Sequence, residues 1–293
     1  MSSSPQSILR VTVIGIGTMG GAFVRRLLGA GLLVTVWSRT ESNAAPLVAR
    51  GATSQANSHD AVNTADVVLT MLPTPDITSE VMLDQGVLGA MAPGSTWLQM
   101  ATIGSVATEQ LIARAASARP DVTFVDAPVS GSREPAESGQ LIILASGSPS
   151  ARDQLEPVFR ALGKSTLWLG PAGVGSQMKL VMNTWLAFQI ECAAESLALL
   201  EHFGADTQQL VEILSESPLA SPYAVSKLKK MISADFSPDF SLALATKDLA
   251  LVESDVGERP VPIAAAIGER WRALVANGTG SLDVAAAYQG LAD

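Results

Sequence analysis

One cysteine, Cys192, and two histidines, His59 and His202, occur in 293 residues. No internal disulfide can form, and such sparing cysteine usage suits a reducing cytoplasm. Both histidines sit in polar surroundings near segment ends, which leaves a histidine-based triad or a metal centre little to build on. Basic residues are in deficit. Nineteen Lys and Arg against 28 Asp and Glu give a net charge of −9, which argues against a nucleic-acid surface but not against a local anion site. Long uncharged apolar runs are missing too. The longest candidate, Val174–Leu200, carries Lys179, Glu191 and Glu195, so no membrane span is expected. The opening Met1–Ser7 has neither a basic n-region nor a long apolar run and reads as a frayed tail rather than a signal. There is no internal repeat or low-complexity segment.

What is present is ample apolar material, 47% hydrophobic against 16% charged, which excludes wholesale disorder. The length exceeds what one core usually serves, so two domains are expected. Up to about residue 170, short Val/Ile/Leu runs alternate with helical patterns. Strands are expected at Ile8–Ile14, Leu33–Ser38, Val67–Leu72, Ser95–Gln99, Thr123–Ala127, Leu141–Ser146 and Thr166–Leu169, with helices between them such as Met19–Ala30 and Ser105–Ala118. This alternation predicts an α/β fold, a Rossmann-type doubly wound parallel sheet over residues 8–170.

From about Pro171 the strands disappear, and residues 171–293 read as an all-α domain that begins with a long connecting helix. Val174, Met178, Val181, Trp185, Phe188 and Cys192 recur at spacings of four and three, a helical stripe continuing to about Phe203. The stripe reads as core or subunit interface, with Cys192 a packing residue and not a catalyst. Further helices are expected near Thr207–Ser215, Tyr223–Ser233, Leu242–Val256, Ile263–Asn277 and Leu282–Leu291.

Gly15-Ile16-Gly17-Thr18-Met19-Gly20 follows the first strand and opens a helix. In a dinucleotide site the first glycine makes the turn, the second admits the pyrophosphate and the third lets helix and strand pack closely. A glycine-rich turn alone says little, but here strand, glycines and helix come in order. The next strand ends in Ser38-Arg39-Thr40, where NAD-selective sites place an acid for the ribose hydroxyl. A guanidinium and hydroxyls instead suit a 2′-phosphate, so NADPH (NADP) is expected to be preferred over NADH. The competing reading makes Arg39 a solvated charge.

Gly173-Val-Gly175-Ser-Gln-Met-Lys179-Leu-Val-Met-Asn183 carries the chemistry. Lys179 and Asn183, four residues apart, share a helical face among apolar neighbours. A lysine there can move a proton and an asparagine can hold an oxygen beside it, whereas a lysine with no function would snorkel to solvent.

Four separated motifs together resemble the β-hydroxyacid dehydrogenase family, relatives of 3-hydroxyisobutyrate and 6-phosphogluconate dehydrogenases. They are the glycine loop with Arg39-Thr40, the run Asp126-Ala-Pro-Val-Ser-Gly-Ser-Arg-Glu-Pro-Ala-Glu-Ser-Gly-Gln140, the Gly173–Asn183 stretch, and Lys247-Asp248-Leu249. They cover the chain from Val11 to about Leu291 and are most similar to glyoxylate and succinic semialdehyde reductases, which Ser130-Gly-Ser132, Pro135-Ala136 and Gly139–Leu144 also resemble. The resemblance implies Lys179 as catalytic lysine with Asn183 beside it at the substrate. It implies Ser130, Gly131 and Ser132 at the substrate carboxylate. Thr102 and Lys247 would stand at the nicotinamide end, with Met71, Leu72 and Pro73 bordering the cofactor.

The chain departs from the family in carrying Ser132 where many members have Gly. It also carries Gln99-Met-Ala101-Thr102 where an Asp-x-Ser-Thr run is common. The implied reaction is hydride transfer to a small carbonyl acid, with protonated Lys179 stabilising the growing alkoxide and donating the proton. Backbone N–H groups beyond a strand end would hold the carboxylate at Ser130 and Gly131, against the reading of an ordinary strand-to-loop turn. The competing reading of Lys247 is a simple pair with Asp248. The rivals are an NADPH-dependent imine reductase, which typically lacks this lysine, and a non-catalytic dinucleotide-binding module. A homodimer or homotetramer in the cytoplasm is expected, with a small-molecule substrate and neither nucleic acid nor membrane as partner.

Overall fold

The computed structural model describes residues 8–291; the tail expected at Met1–Ser7 lies outside the described residues. The chain divides into two compact units, one through Lys179 and one from Leu180.

The first unit is built on nine strands: β1 Arg10–Ile14, β2 Leu33–Trp37, β3 Thr53–Ser54, β4 Val67–Thr70, β5 Thr96–Gln99, β6 Thr123–Asp126, β7 Val129–Ser130, β8 Leu141–Gly147 and β9 Gly163–Trp168. Their order is β3-β2-β1-β4-β5-β6-β8-β7, with β9 pairing β8. The ladder is parallel from β3 to β6, as in dinucleotide-binding folds. It turns antiparallel at β6–β8 and β7–β8, and β9 returns parallel to β8.

The central strands are runs of Val, Ile and Leu because both faces are covered: all four residues of β4 are buried. Helices α1 Thr18–Gly29, α2 Ser105–Ala118, α3 Arg133–Ser138 and α4 Arg152–Leu162 supply covering faces. Phe23, Val24 and Leu27 of α1 meet Leu155, Val158 and Phe159 of α4 in one apolar cluster with Val11, Val13, Val34 and Val36. The short strands β3 and β7 carry too few apolar residues to show in the sequence. The last strand starts at Gly163, ahead of the run expected from Thr166.

Helix α5, Val174–His202, carries the chain from the first unit into the second. There α6 Thr207–Glu216, α7 Pro222–Ile232, α8 Leu242–Asp255 and α9 Pro262–Leu274 complete the helical set. Trp271, Leu228, Met231, Leu249 and Ile267 form the core with Ala187, Ile190, Ala194 and Leu197 of α5. Lys227 is buried there and bonds Asp283 at 2.9 Å.

Two expectations are corrected. Most of the α5 stripe is not core, which leaves the subunit-interface alternative for it: Val181 and Trp185 are 65% and 67% exposed and Cys192 is exposed as well, while half-buried Phe188 packs against the second unit's core. The buried face is the set offset from it, rich in alanine. Leu282–Leu291 is not an α-helix but a single 3₁₀ segment at Val284–Tyr288. The Asp283 carboxylate caps Ala285 and also accepts from the Asp239 and Phe240 amides, which fixes the chain in a tight turn there. Among the described residues no helix is long and apolar enough to cross a membrane, and no cluster of His, Cys, Asp and Glu could hold a metal ion.

Candidate active site

The sheet reverses its order between β1 and β4, and the segments expected to hold a dinucleotide leave the C-terminal ends of the strands at and beside that point. After β1, Gly15 has φ +93°, and a Cβ there would stand 2.5 Å from the Met71 carbonyl oxygen. A Cβ on Gly20 would lie 1.9 Å from the Gly15 carbonyl, so glycine alone lets α1 seat against the strand end. Gly17 meets nothing within 4 Å, and as the residue capping α1 it offers no side-chain acceptor to the first N–H groups. Close packing below, open space above and uncapped donors fit a pyrophosphate.

After β2, Ser38 is half-buried while Arg39 and Thr40 are exposed, and the Thr40 amide donates to Ser38 Oγ at 3.4 Å. Met71 is half-buried, Leu72 buried and Pro73 exposed after β4; Thr102, after β5, is half-buried.

Beneath these loops lies a feature the sequence did not mark. Thr70, Gln99, Asp126 and Ser146 stand in consecutive register across β4, β5, β6 and β8. All four are fully buried. The Trp97 indole donates to Thr70 Oγ1 (3.0 Å), Thr70 Oγ1 to Gln99 Oε1 (2.6 Å), and Gln99 Nε2 to the Ala101 carbonyl (3.0 Å). At the other end of the row, Asp126 accepts from the Ser176 amide (2.7 Å) and Ser176 Oγ (2.8 Å). Ser146 Oγ donates to Asp126 Oδ2 at 3.2 Å and accepts from the Gly175 amide at 2.9 Å. Burial pushes the Asp126 carboxyl up to about 6, against the opposing pull of its bonds from Ser176, Ser146 and the Gly173 backbone. The first turn of α5 is thus bonded to the strand ends, and half-buried Lys179 follows on that helix.

Ser130 lies inside β7, paired with Ile142 of β8, rather than beyond a strand end. Gly131 and Ser132 are the first residues past it, so the strand end falls one residue later than the sequence implied.

In the second unit, Asn183 is buried on α5, one turn after Lys179, and its Nδ2 donates to Asp248 Oδ2 at 2.5 Å. Lys247 Nζ stands 2.8 Å from the other carboxylate oxygen of Asp248. That contact is an ion pair between the ammonium and the carboxylate. The pair expected as the alternative for Lys247 therefore exists. Asp248, which the sequence marked as that partner and as a member of the Lys247-Asp248-Leu249 motif, is the buried carboxylate joining the Asn183 amide and the Lys247 ammonium.

Residues 10–170 match the family described as the NAD binding domain of 6-phosphogluconate dehydrogenase, and residues 173–291 the one described as NAD-binding of NADP-dependent 3-hydroxyisobutyrate dehydrogenase. Glyoxylate/succinic semialdehyde reductase 1 of Arabidopsis thaliana is 33% identical over 96% of this chain and 98% of its own. The human cytokine-like nuclear factor N-PAC is 30% identical over 96% of this chain, which spans only 51% of that protein. Among solved structures, a Mycobacterium tuberculosis 3-hydroxyisobutyrate dehydrogenase superposes with a TM-score of 0.89 at 27% identity, covering 97% of this chain and 99% of its own. With the dinucleotide cradle and the helical second unit already in place, these matches make the chain a member of the β-hydroxyacid dehydrogenase family and an NAD(P)-dependent oxidoreductase.

Proposed function

We propose that the chain is an NADPH-dependent reductase of small carbonyl acids, of the glyoxylate or succinic semialdehyde class, with Lys179 as proton donor. The observation that carries this reading is a lysine on a helix whose first turn is bonded to the C-terminal end of the sheet that bears the dinucleotide cradle. The bound cofactor supplies hydride from C4 of its nicotinamide. The chain's residues supply the rest. Gly15, Ile16, Gly17, Thr18, Met19 and Gly20 hold the pyrophosphate, and Ser38, Arg39 and Thr40 hold the 2′-phosphate. Met71, Leu72, Pro73, Thr102 and Lys247 border the nicotinamide end. Ser130, Gly131 and Ser132 anchor the substrate carboxylate.

Lys179 places its charge on the carbonyl oxygen and gives up a proton as the alkoxide forms. Asn183 orients the same oxygen, its own amide held by Asp248. The Asp248 carboxylate stands against the Lys247 ammonium and accepts from the Asn183 amide, so a charged and a neutral donor are presented side by side. The exposed stripe at Met178, Val181, Trp185 and Phe203 supports self-association through α5, as a homodimer or homotetramer. A reducing cytoplasm suits the single exposed cysteine.

NADPH consumption across short aldehydes, 2-keto acids and cyclic imines tests the reading. Turnover of the acids and aldehydes is expected, and turnover of the imines alone would refute it. Lys179→Ala is expected to lower kcat by about 10²–10⁴-fold while NADPH still binds. Near-normal turnover in that variant would remove the lysine from the mechanism.

A further inference from the structure

Of the fully buried carboxylates, Asp283 is matched to the Lys227 ammonium, whereas the donors seen at Asp126 are hydroxyls and backbone amides. We propose that Asp126 is a positioning residue for the Lys179 turn of α5, acting through Ser176 and Ser146. The inference rests on the reading of Lys179 as proton donor and adds the device that sets where the lysine stands.

Three contacts converge on that turn. Asp126 takes both the amide and the hydroxyl of Ser176, and Ser146 takes the amide of Gly175 while donating to Asp126. Gly175 has no room for a side chain. A Cβ there would lie 2.3 Å from the Leu144 carbonyl oxygen, 3.1 Å from Asp126 Oδ2 and 3.1 Å from Ser146 Oγ, so glycine lets the helix rest directly on the β8 backbone. Ser176 Oγ also stands 3.1 Å from Thr108 Oγ1 of α2, whose own proton goes to the Gly104 carbonyl. The turn is therefore bonded to β6 and β8 at once, with Thr108 of α2 in contact beside it.

Lys179 follows Ser176 by three residues, about 4.5 Å along the axis and on the same face. A helical turn is stiff, so slack at Ser176 moves the base of the lysine with it. Misplacement of a reacting group by about 1 Å can cost roughly 10²-fold in rate. A carboxylate at 126 can accept on both oxygens at once. An amide of the same shape cannot, because its nitrogen would face one of the Ser176 or Ser146 donors that the carboxylate now satisfies.

The test compares Asp126→Asn, Ser146→Ala, Ser176→Ala and Lys179→Ala in kcat, in KM and Kd for NADPH, and in hydrogen exchange of the residue 174–179 amides. Asp126→Asn is expected to lose about 10²-fold in kcat, with NADPH affinity within about twofold because the glycine loop is untouched, and to exchange faster at 174–179 than elsewhere. Each serine variant loses less, since other bonds to the turn remain. Faster exchange at 174–179 with an unchanged kcat, while Lys179→Ala is inactive, overturns the positioning role. Normal turnover in Lys179→Ala overturns the reading beneath it, and leaves the anchoring visible in exchange alone. Should Asp126→Asn not fold, an unchanged kcat in the Ser146→Ala, Ser176→Ala double variant overturns the proposal equally well.

Discussion

Gln99→Glu changes one buried side chain by a single NH₂-to-oxygen exchange, yet it should convert the stability of the first unit into a function of pH. The network around Gln99 has a direction fixed by its ends. An indole N–H can only donate and a backbone carbonyl can only accept, so protons run from Trp97 to Thr70 to Gln99, and from Gln99 to the Ala101 carbonyl. Position 99 must therefore accept at one oxygen and donate at the other atom. A protonated carboxyl does both; a carboxylate turns an anion toward the Ala101 oxygen.

Thr70 and Gln99 are fully buried, and Asp126, next in register, is already pushed up to about 6 by burial. Buried glutamates reach roughly 8–9 from an ordinary value near 4.3. If the introduced group rises by about 3 units, the folded state holds a proton that the unfolded chain has released. Stability then falls as pH rises from about 4 toward the raised value, by about 4 kcal/mol in all at roughly 1.4 kcal/mol per unit. An ionised neighbour at Asp126 pushes the same way.

The assay is urea unfolding of parent and variant at pH 5, 6, 7 and 8, read as the difference between them so that groups common to both cancel. The gap should be small at pH 5 and several kcal/mol at pH 8. Gln99→Leu, which strands the Ala101 carbonyl at every pH, should show a flat loss of about 1–3 kcal/mol. A Gln99→Glu gap that stays constant from pH 5 to pH 8 would refute the buried, directional network.

Two further outcomes follow from the cofactor cradle. Gly20→Ala must displace the Gly15 carbonyl from a 1.9 Å clash, so NADPH affinity should fall by at least about tenfold, an overpacking cost of about 1–3 kcal/mol at the loop itself; fluorescence titration of the bound cofactor reads it. If Arg39 holds the 2′-phosphate as proposed, Arg39→Ala should raise KM for NADPH while leaving KM for NADH nearly unchanged; steady-state kinetics with both cofactors check it, and equal losses with both would reduce Arg39 to a solvated charge.

The fold was legible where the physics is local. Runs such as Val67–Thr70 are apolar throughout because both faces are covered, and Gly15–Gly20 are spaced as strand, turn and helix require, so strand positions and the dinucleotide loop could be read from neighbours in the chain. The core alternative for the α5 stripe failed for a definable reason. Spacings of three and four mark an apolar face but not what covers it, and the face packed in the second unit relies on Ala187, Ala193 and Ala194, which carry little hydrophobic signal. The same limit hid the polar row. Asp126 reads as one acid in a loop motif until Ser176, fifty residues later, is seen to donate to it.

Asp248 shows the consequence most directly. In sequence, a Lys-Asp dipeptide offers two readings, a working lysine or a neutralised one, and nothing adjacent decides between them. Asn183, distant in sequence, gives its amide to the same carboxylate, so the pairing sets both side chains against a common anion and is compatible with either reading of Lys247. A charge pair read as an alternative to function is, in this geometry, the means by which two proposed site residues are held.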